Sequence, residues 1–163
     1  MTLASTQRAS TRRPTLKLVV QFASSQHRTQ LSKLLLRTWV KAACVDAQSW
    51  HTIELTLRFV GREEGRVLNR SYRGKDDATN VLTFAYEPMV DGILLADLVF
   101  CDAVIEQEAA TQGKELLAHY AHLVIHGVLH AQGYDHEREN DAKKMEALET
   151  ALLAKLGYPN PYC

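Results

Sequence analysis

The sequence predicts an α+β domain, a mixed α/β layer in which about four strands of a mixed sheet pack with five or so helices. Three observations carry that expectation. Apolar residues recur at every second position at 16–22 and again at 53–59, the two-residue period of a half-buried strand. Apolar residues recur every three to four positions at 31–42 and 145–156, the helical period. Read in chain order, the two periods give β-α-β-α-β-β-α-α-α, which builds one layered unit around one core.

Each element has its own signal. Residues 1–14 hold Arg8, Arg12 and Arg13 among Ser and Thr with no periodicity, which reads as a mobile basic tail ahead of a single domain over 15–163. An organellar leader and a plain tail both fit that composition. Leu16, Leu18, Val20 and Phe22 mark the first strand; Leu31, Leu34, Leu35, Trp39 and Ala42 follow at helical spacing. Ile53, Leu55, Leu57 and Phe59 mark the second strand, and Val67, Leu68 and Tyr72 place a shorter helix after Gly61. Strands are expected at 80–86 and 94–101. Asp102 suits the N-cap of the next helix, because its carboxylate can accept first-turn amide hydrogens. After Gly113 a long helix is expected over about 114–132, closed by Gly133 as a left-handed C′ residue. The last helix, about 141–156, puts Met145, Leu148, Leu152 and Leu156 on one stripe, and Gly157, Pro159 and Pro161 stop it.

Composition removes several classes of function. No segment approaches the ~18 apolar residues of a membrane-spanning helix, so no membrane partner is expected. Three cysteines, Cys44, Cys101 and Cys163, are too few for a disulfide framework and fit a reducing cytoplasm. The net charge of zero conceals an asymmetry. Residues 1–75 carry 14 Lys and Arg against 4 Asp and Glu, whereas residues 76–163 carry 5 against 15. Arg62, Arg66 and Arg70 recur every four residues, with Arg73 and Lys75 close behind, so a basic helical face that tracks phosphates is expected, distinct from an acidic one.

Five of the seven histidines fall between 119 and 136, and His119, His122, His126 and His130 share one helical face. Two imidazoles at i and i+4 lie ~6 Å apart along the axis and can meet at one ion; a third at i+8 lies ~12 Å away and cannot. The third ligand must come from returning chain. Gly133 turns the backbone after His130, and His136 lies on the return, so His126, His130 and His136 are the candidate metal ligands. Three imidazoles with an open position describe a catalytic zinc site, one Zn2+ per chain, where a bound water is acidified to a pKa of about 7. The motif makes this a zincin-like metal helix and loop. His122 is a candidate for the cleft or for supporting a ligand, as is Asp135, which also reads as a turn residue.

The spacing resembles the metzincin H-E-x-x-H-x-x-G-x-x-H pattern, with one difference. The metzincin glutamate, the general base, is replaced by Gly127. Glycine transfers no proton and costs about 1 kcal/mol inside a helix, so packing or access is expected to demand it. A peptidase reading is weakened accordingly.

The segment from His122 through His126, Gly127, His130 and Gly133 to Asp135 and His136 resembles the signature of the YbeY family of bacterial endoribonucleases. Two further segments agree: 68–84, holding Tyr72-Arg73-Gly74-Lys75-Asp76 and Thr79-Asn80-Val81-Leu82-Thr83-Phe84, and the stretches Met145–Glu149 and Leu156–Tyr158. The chain departs from the family pattern at Ala96, where a glycine is usual, and at Ala85, where proline is common. The resemblance implies a zinc-dependent, single-strand-specific endoribonuclease acting in ribosomal RNA maturation and ribosome quality control. It implies single-stranded RNA, ribosomal RNA and the small ribosomal subunit as partners, with no DNA expected. It also implies Arg73 as the catalytic arginine, since a guanidinium can bind two phosphate oxygens in a fork; the basic pattern adds Arg62, Arg66, Arg70 and Lys75 as candidate RNA contacts. The alternatives are a metallohydrolase of another class, peptidase or small-molecule hydrolase, on the same three histidines, or an assembly factor that uses the metal to hold its fold. The general base is unassigned, and attack by the RNA 2′-hydroxyl stays open.

Overall fold

A computed structural model of the chain describes residues 13–87 and 91–163. The basic tail read at 1–14 lies outside the described residues apart from Arg13 and Pro14. The elements follow the expected order: β1 (Thr15–Phe22), α1 (Lys33–Ala43), β2 (Thr52–Val60), α2 (Arg62–Arg73), β3 (Val81–Tyr86), β4 (Ile93–Cys101), α3 (Asp102–Gln112), α4 (Leu116–Ala131) and α5 (Glu139–Lys155), with one 3-10 turn at Ala47–Ser49. The four strands form one mixed sheet in the order β1-β2-β4-β3. β1, β2 and β4 run parallel, and β3 returns antiparallel on the outside of β4. β3 is therefore an edge, with one side of its backbone unpaired in the sheet.

Alternation sorts the strands between two faces. Leu55, Leu57, Phe59, Leu98 and Phe100 point into the main core with α1, α4 and α5. Val60, Leu82, Val99 and Cys101 point the other way, into a smaller cluster that takes in Leu68 of α2 and Phe84. The histidine-bearing helix and α2 thus lie on opposite faces of the sheet, and the edge strand β3 stands between them. Ala85 and Ala96, the two departures from the family pattern, are register partners across β3 and β4. Among the described residues none other than glycine has a positive φ, so Ala96 carries no backbone strain.

α4 is the central helix. From His119 onward only His122, His126 and His130 are more than marginally exposed; every other residue to Ala131 is buried. A helix apolar on nearly all sides has to be enclosed; of the three positions left over, His126 and His130 face one opening and His122 another, beside Lys114 and Pro161. The helix ends in a Schellman motif. Gly133 has φ 100°, its N–H donates to His130 O at 2.9 Å, and Tyr134 N–H donates to Leu129 O at 3.1 Å.

Several local expectations need correction. In α1 the buried stripe is Leu36, Trp39, Val40 and Ala43; Leu31 and Trp39 are buried as expected, whereas Leu34 is 77% exposed. Ser32 caps this helix through Leu35 N–H. Asp102 is not an N-cap. Cys101 holds that position, and Asp102 begins α3 with its carboxylate turned inward, accepting the Tyr120 hydroxyl at 2.7 Å. Burial raises its pKa against that bond. Val67 and Tyr72 lie at helical positions in α2 but are exposed; the residues it buries are Gly65 and Asn69. In α5 the middle of the buried stripe is Glu149 rather than Leu148.

Candidate metal centre

His126 and His130 leave the open face of α4 one turn apart, and the Schellman turn carries His136 back to them. The ring centroids of His126 and His130 lie 4.5 Å apart, those of His130 and His136 4.9 Å, and those of His126 and His136 5.5 Å. One ligating nitrogen from each falls within 4.8 Å of the other two. The three histidines read from spacing are brought together.

Their hydrogen bonds show which nitrogens are available. His130 Nδ1 lies 2.9 Å from the Tyr134 carbonyl oxygen and His126 Nδ1 lies 2.6 Å from Glu149 Oε1. A carbonyl and a carboxylate only accept, so both Nδ1 atoms donate and both Nε2 atoms carry lone pairs. Those two Nε2 atoms face each other at 3.0 Å. Two lone pairs at that separation repel unless a cation lies between them, so the donor set fits a metal. Burial, then the neighbouring imidazoles, lowers the pKa of His130 and favours the neutral form that ligates.

Glu149 is the residue that sequence reasoning missed. Its carboxylate is fully buried, and besides His126 it accepts His122 Nε2 at 2.7 Å and the Tyr162 hydroxyl. Burial alone would raise its pKa, but these hydrogen bonds outweigh burial and bring it down to about 2. The signal was present: an acid in the middle of an apolar stripe needs a buried partner. His122 is thus a second anchor for this carboxylate. His122, His126 and Glu149 also lie close enough to hold an ion, but their facing atoms are already paired as two donors and one acceptor. Glu149→Gln, which keeps the shape and removes the charge, is expected to weaken metal binding about 10- to 100-fold with the fold retained, measured by chelator competition. Unchanged affinity would show that the carboxylate does not support the ligand.

Other candidates take other places. Asp135 is a turn residue: its Oδ1 accepts His136 N–H at 2.6 Å and Glu137 N–H at 3.1 Å, and so it shapes the backbone that presents His136. His119 is buried and bonds Glu108 at 3.3 Å; Glu108 in turn holds the Asn80 amide at 3.1 Å. Gly127 answers the missing glutamate. A Cβ there would lie 2.6 Å from Leu98 Cδ2 and 3.5 Å from Thr83 Oγ1, so α4 meets the sheet where metzincins carry their base.

The three histidines open onto a cleft of about 630 Å³ along β3, whose wall includes Asn80, Thr83, Tyr72 and Arg73. Arg73 is the last residue of α2, exposed, and followed by Gly74 in the left-handed conformation. The other basic candidates do not line this cleft. Arg62 donates to Gln107 at 3.1 Å, and Arg66 is paired with Glu63 at 2.8 Å and Asp76 at 2.7 Å. The expected basic face is therefore interrupted at Arg66. Arg70, Arg73 and Lys75 are exposed and, among the described residues, form no ion pair.

The family model of Endoribonuclease YbeY matches residues 20–157. The chain is 53% identical over 155 residues to Endoribonuclease YbeY of Paraburkholderia phytofirmans, covering 93% of this chain and 98% of that protein. It is 54% identical over 156 residues to that of Paraburkholderia phymatum, with the same coverage. The solution structure of TM1509 from Thermotoga maritima is similar in fold alone, with a TM-score of 0.54 at 20% identity over 86% of this chain and 91% of that one. With the family model spanning most of the sequence and the histidine cluster, the chain belongs to the Endoribonuclease YbeY family.

Proposed function

We propose that this protein is a zinc-dependent, single-strand-specific endoribonuclease that works in the cytoplasm on ribosomal RNA of the small ribosomal subunit, in its maturation and quality control. The observation that carries the reading is the convergence of three imidazoles on a cleft with a guanidinium in its wall, in a chain whose relatives are named endoribonucleases. Among the described residues no helix is long and apolar enough to cross a membrane. His126, His130 and His136 would hold the zinc, which when bound supplies a Lewis acid for phosphodiester hydrolysis.

The remaining roles belong to the chain. The Arg73 guanidinium binds the non-bridging phosphate oxygens, and its forked donors meet negative charge that grows as the bond breaks. Glu149 holds the His126 ring with Nε2 toward the cleft, and the Tyr134 carbonyl does the same for His130. The buried flank of α4 keeps water from the rear of the site. A peptidase on the same histidines is disfavoured by Gly127, which carries no base and where an added Cβ would already meet Leu98 at 2.6 Å.

Cleavage of a defined single-stranded RNA by the zinc-loaded chain, beside casein as a peptide substrate, tests the proposal. Arg73→Ala is expected to lower kcat by about 10²–10³-fold with zinc content unchanged. Undiminished cleavage would remove Arg73 from the site, and casein hydrolysis without RNA cleavage would replace the reading with a peptidase. A 2′,3′-cyclic phosphate product end would identify the RNA 2′-hydroxyl as the attacking group.

A further inference from the structure

Tyr72 occupies the last turn of α2, immediately before Arg73, and is 66% exposed. Its ring centroid lies 4.5 Å from that of Phe84 on β3, with the planes tilted by 56°. Phe84 is partly buried against the small cluster of Leu68, Leu82 and Val99, so it is held in place and backs one side of the tyrosine ring. The rest of that ring is open to solvent. Both aromatics line the cleft that holds the three histidines and Arg73.

A tyrosine recruited for packing hides its ring; this one is supported from behind and presented. What it is presented to follows from its neighbours. Arg73 adjoins it in sequence and in the cleft wall, and Arg70 and Lys75 add positive charge on the same turn and just beyond it. A flat π surface beside a guanidinium matches a ligand that carries a flat π surface beside a phosphate, which is a nucleotide with its base free. In a duplex both faces of each base are covered by neighbours, and no face is available to the ring. An unpaired, splayed base has one.

We propose that Tyr72, backed by Phe84, is a stacking platform for one unpaired nucleobase next to the phosphate that Arg73 binds, and that this platform makes the site select single-stranded RNA. The proposal rests on the ribonuclease reading and adds to it the origin of strand selectivity. The tyrosine hydroxyl is not required, so the aromatic ring alone carries the effect.

The test uses the zinc-loaded full chain and a fluorescent oligoribonucleotide, intact and with single abasic positions introduced in turn. Tyr72→Ala is expected to raise KM for the intact strand by about 5- to 150-fold, the range of a lost base–aromatic stack. Tyr72→Phe keeps the ring and is expected to restore KM to within about threefold. One abasic position should weaken the wild type by the same factor and leave Tyr72→Ala unchanged, because the two losses remove one contact. Thermal unfolding of Tyr72→Ala should match the wild type, since the side chain is exposed. Equal KM for wild type and Tyr72→Ala, or losses that add, overturns the platform while leaving the ribonuclease reading intact. A KM defect seen equally on every abasic strand assigns the patch to something other than a base and also overturns it. A wild type that cleaves no RNA overturns the ribonuclease reading and this proposal with it.

Discussion

His126→Ala is expected to leave a folded protein that binds almost no metal and cleaves RNA at least about a thousandfold more slowly. The wild type should carry about one zinc per chain, and the variant less than about a tenth of that. His126 supplies one of three convergent nitrogens, and its loss leaves only His130 and His136. The fold should survive because Glu149 keeps two other partners, His122 and Tyr162, and is not left as an uncompensated buried charge. Elemental analysis, circular dichroism and cleavage of a defined RNA read the three quantities separately. A metal-free variant that cleaves at the wild-type rate removes the metal from the chemistry. A variant that neither binds metal nor cleaves, yet sustains ribosomal RNA maturation in cells, indicates an assembly role instead.

The second large effect is on stability. Gly127→Glu rebuilds the metzincin motif in sequence, but the position is buried and a Cβ would already meet Leu98 at 2.6 Å. Overpacking and desolvation of the carboxylate should together cost about 3–5 kcal/mol. At about 2–4 °C per kcal/mol for a domain of this size, Tm should fall by roughly 10 °C. Gly127→Ala is the milder comparison: a gain of about 1 kcal/mol in helix propensity is set against about 1–3 kcal/mol of overpacking. Neither variant should acquire casein hydrolysis. A Gly127→Glu chain as stable as the wild type would show that helix and sheet have room to part.

What the sequence revealed and what it hid divide along a physical line. Periodicity is local, so the order of strands and helices, the α4 turn and the three convergent histidines were all legible from spacing. The sheet order was not, because nothing in β3 or β4 alone says that β4 inserts beside β2 and leaves β3 at the edge. Exposure is not legible either where it depends on distant partners. Tyr72 and Leu34 look like core residues in a one-dimensional pattern, yet α2 and α1 turn them outward. Glu149 looks like surface charge, yet α5 carries it under α4, where two imidazoles await it. Asp102 looks like a helix cap, but the Tyr120 hydroxyl draws it inward.

The shared carboxylate has a further consequence. Glu149 bonds an imidazole of the histidine cluster on one side and the Tyr162 hydroxyl on the other, so ion loading and seating of the 157–163 segment are expected to be coupled. By reciprocity, whatever holds Tyr162 in place tightens the affinity at His126 by the same factor by which a bound ion stabilises the seated segment. An ion held by the three histidines would then respond to residues that no coordination distance would include.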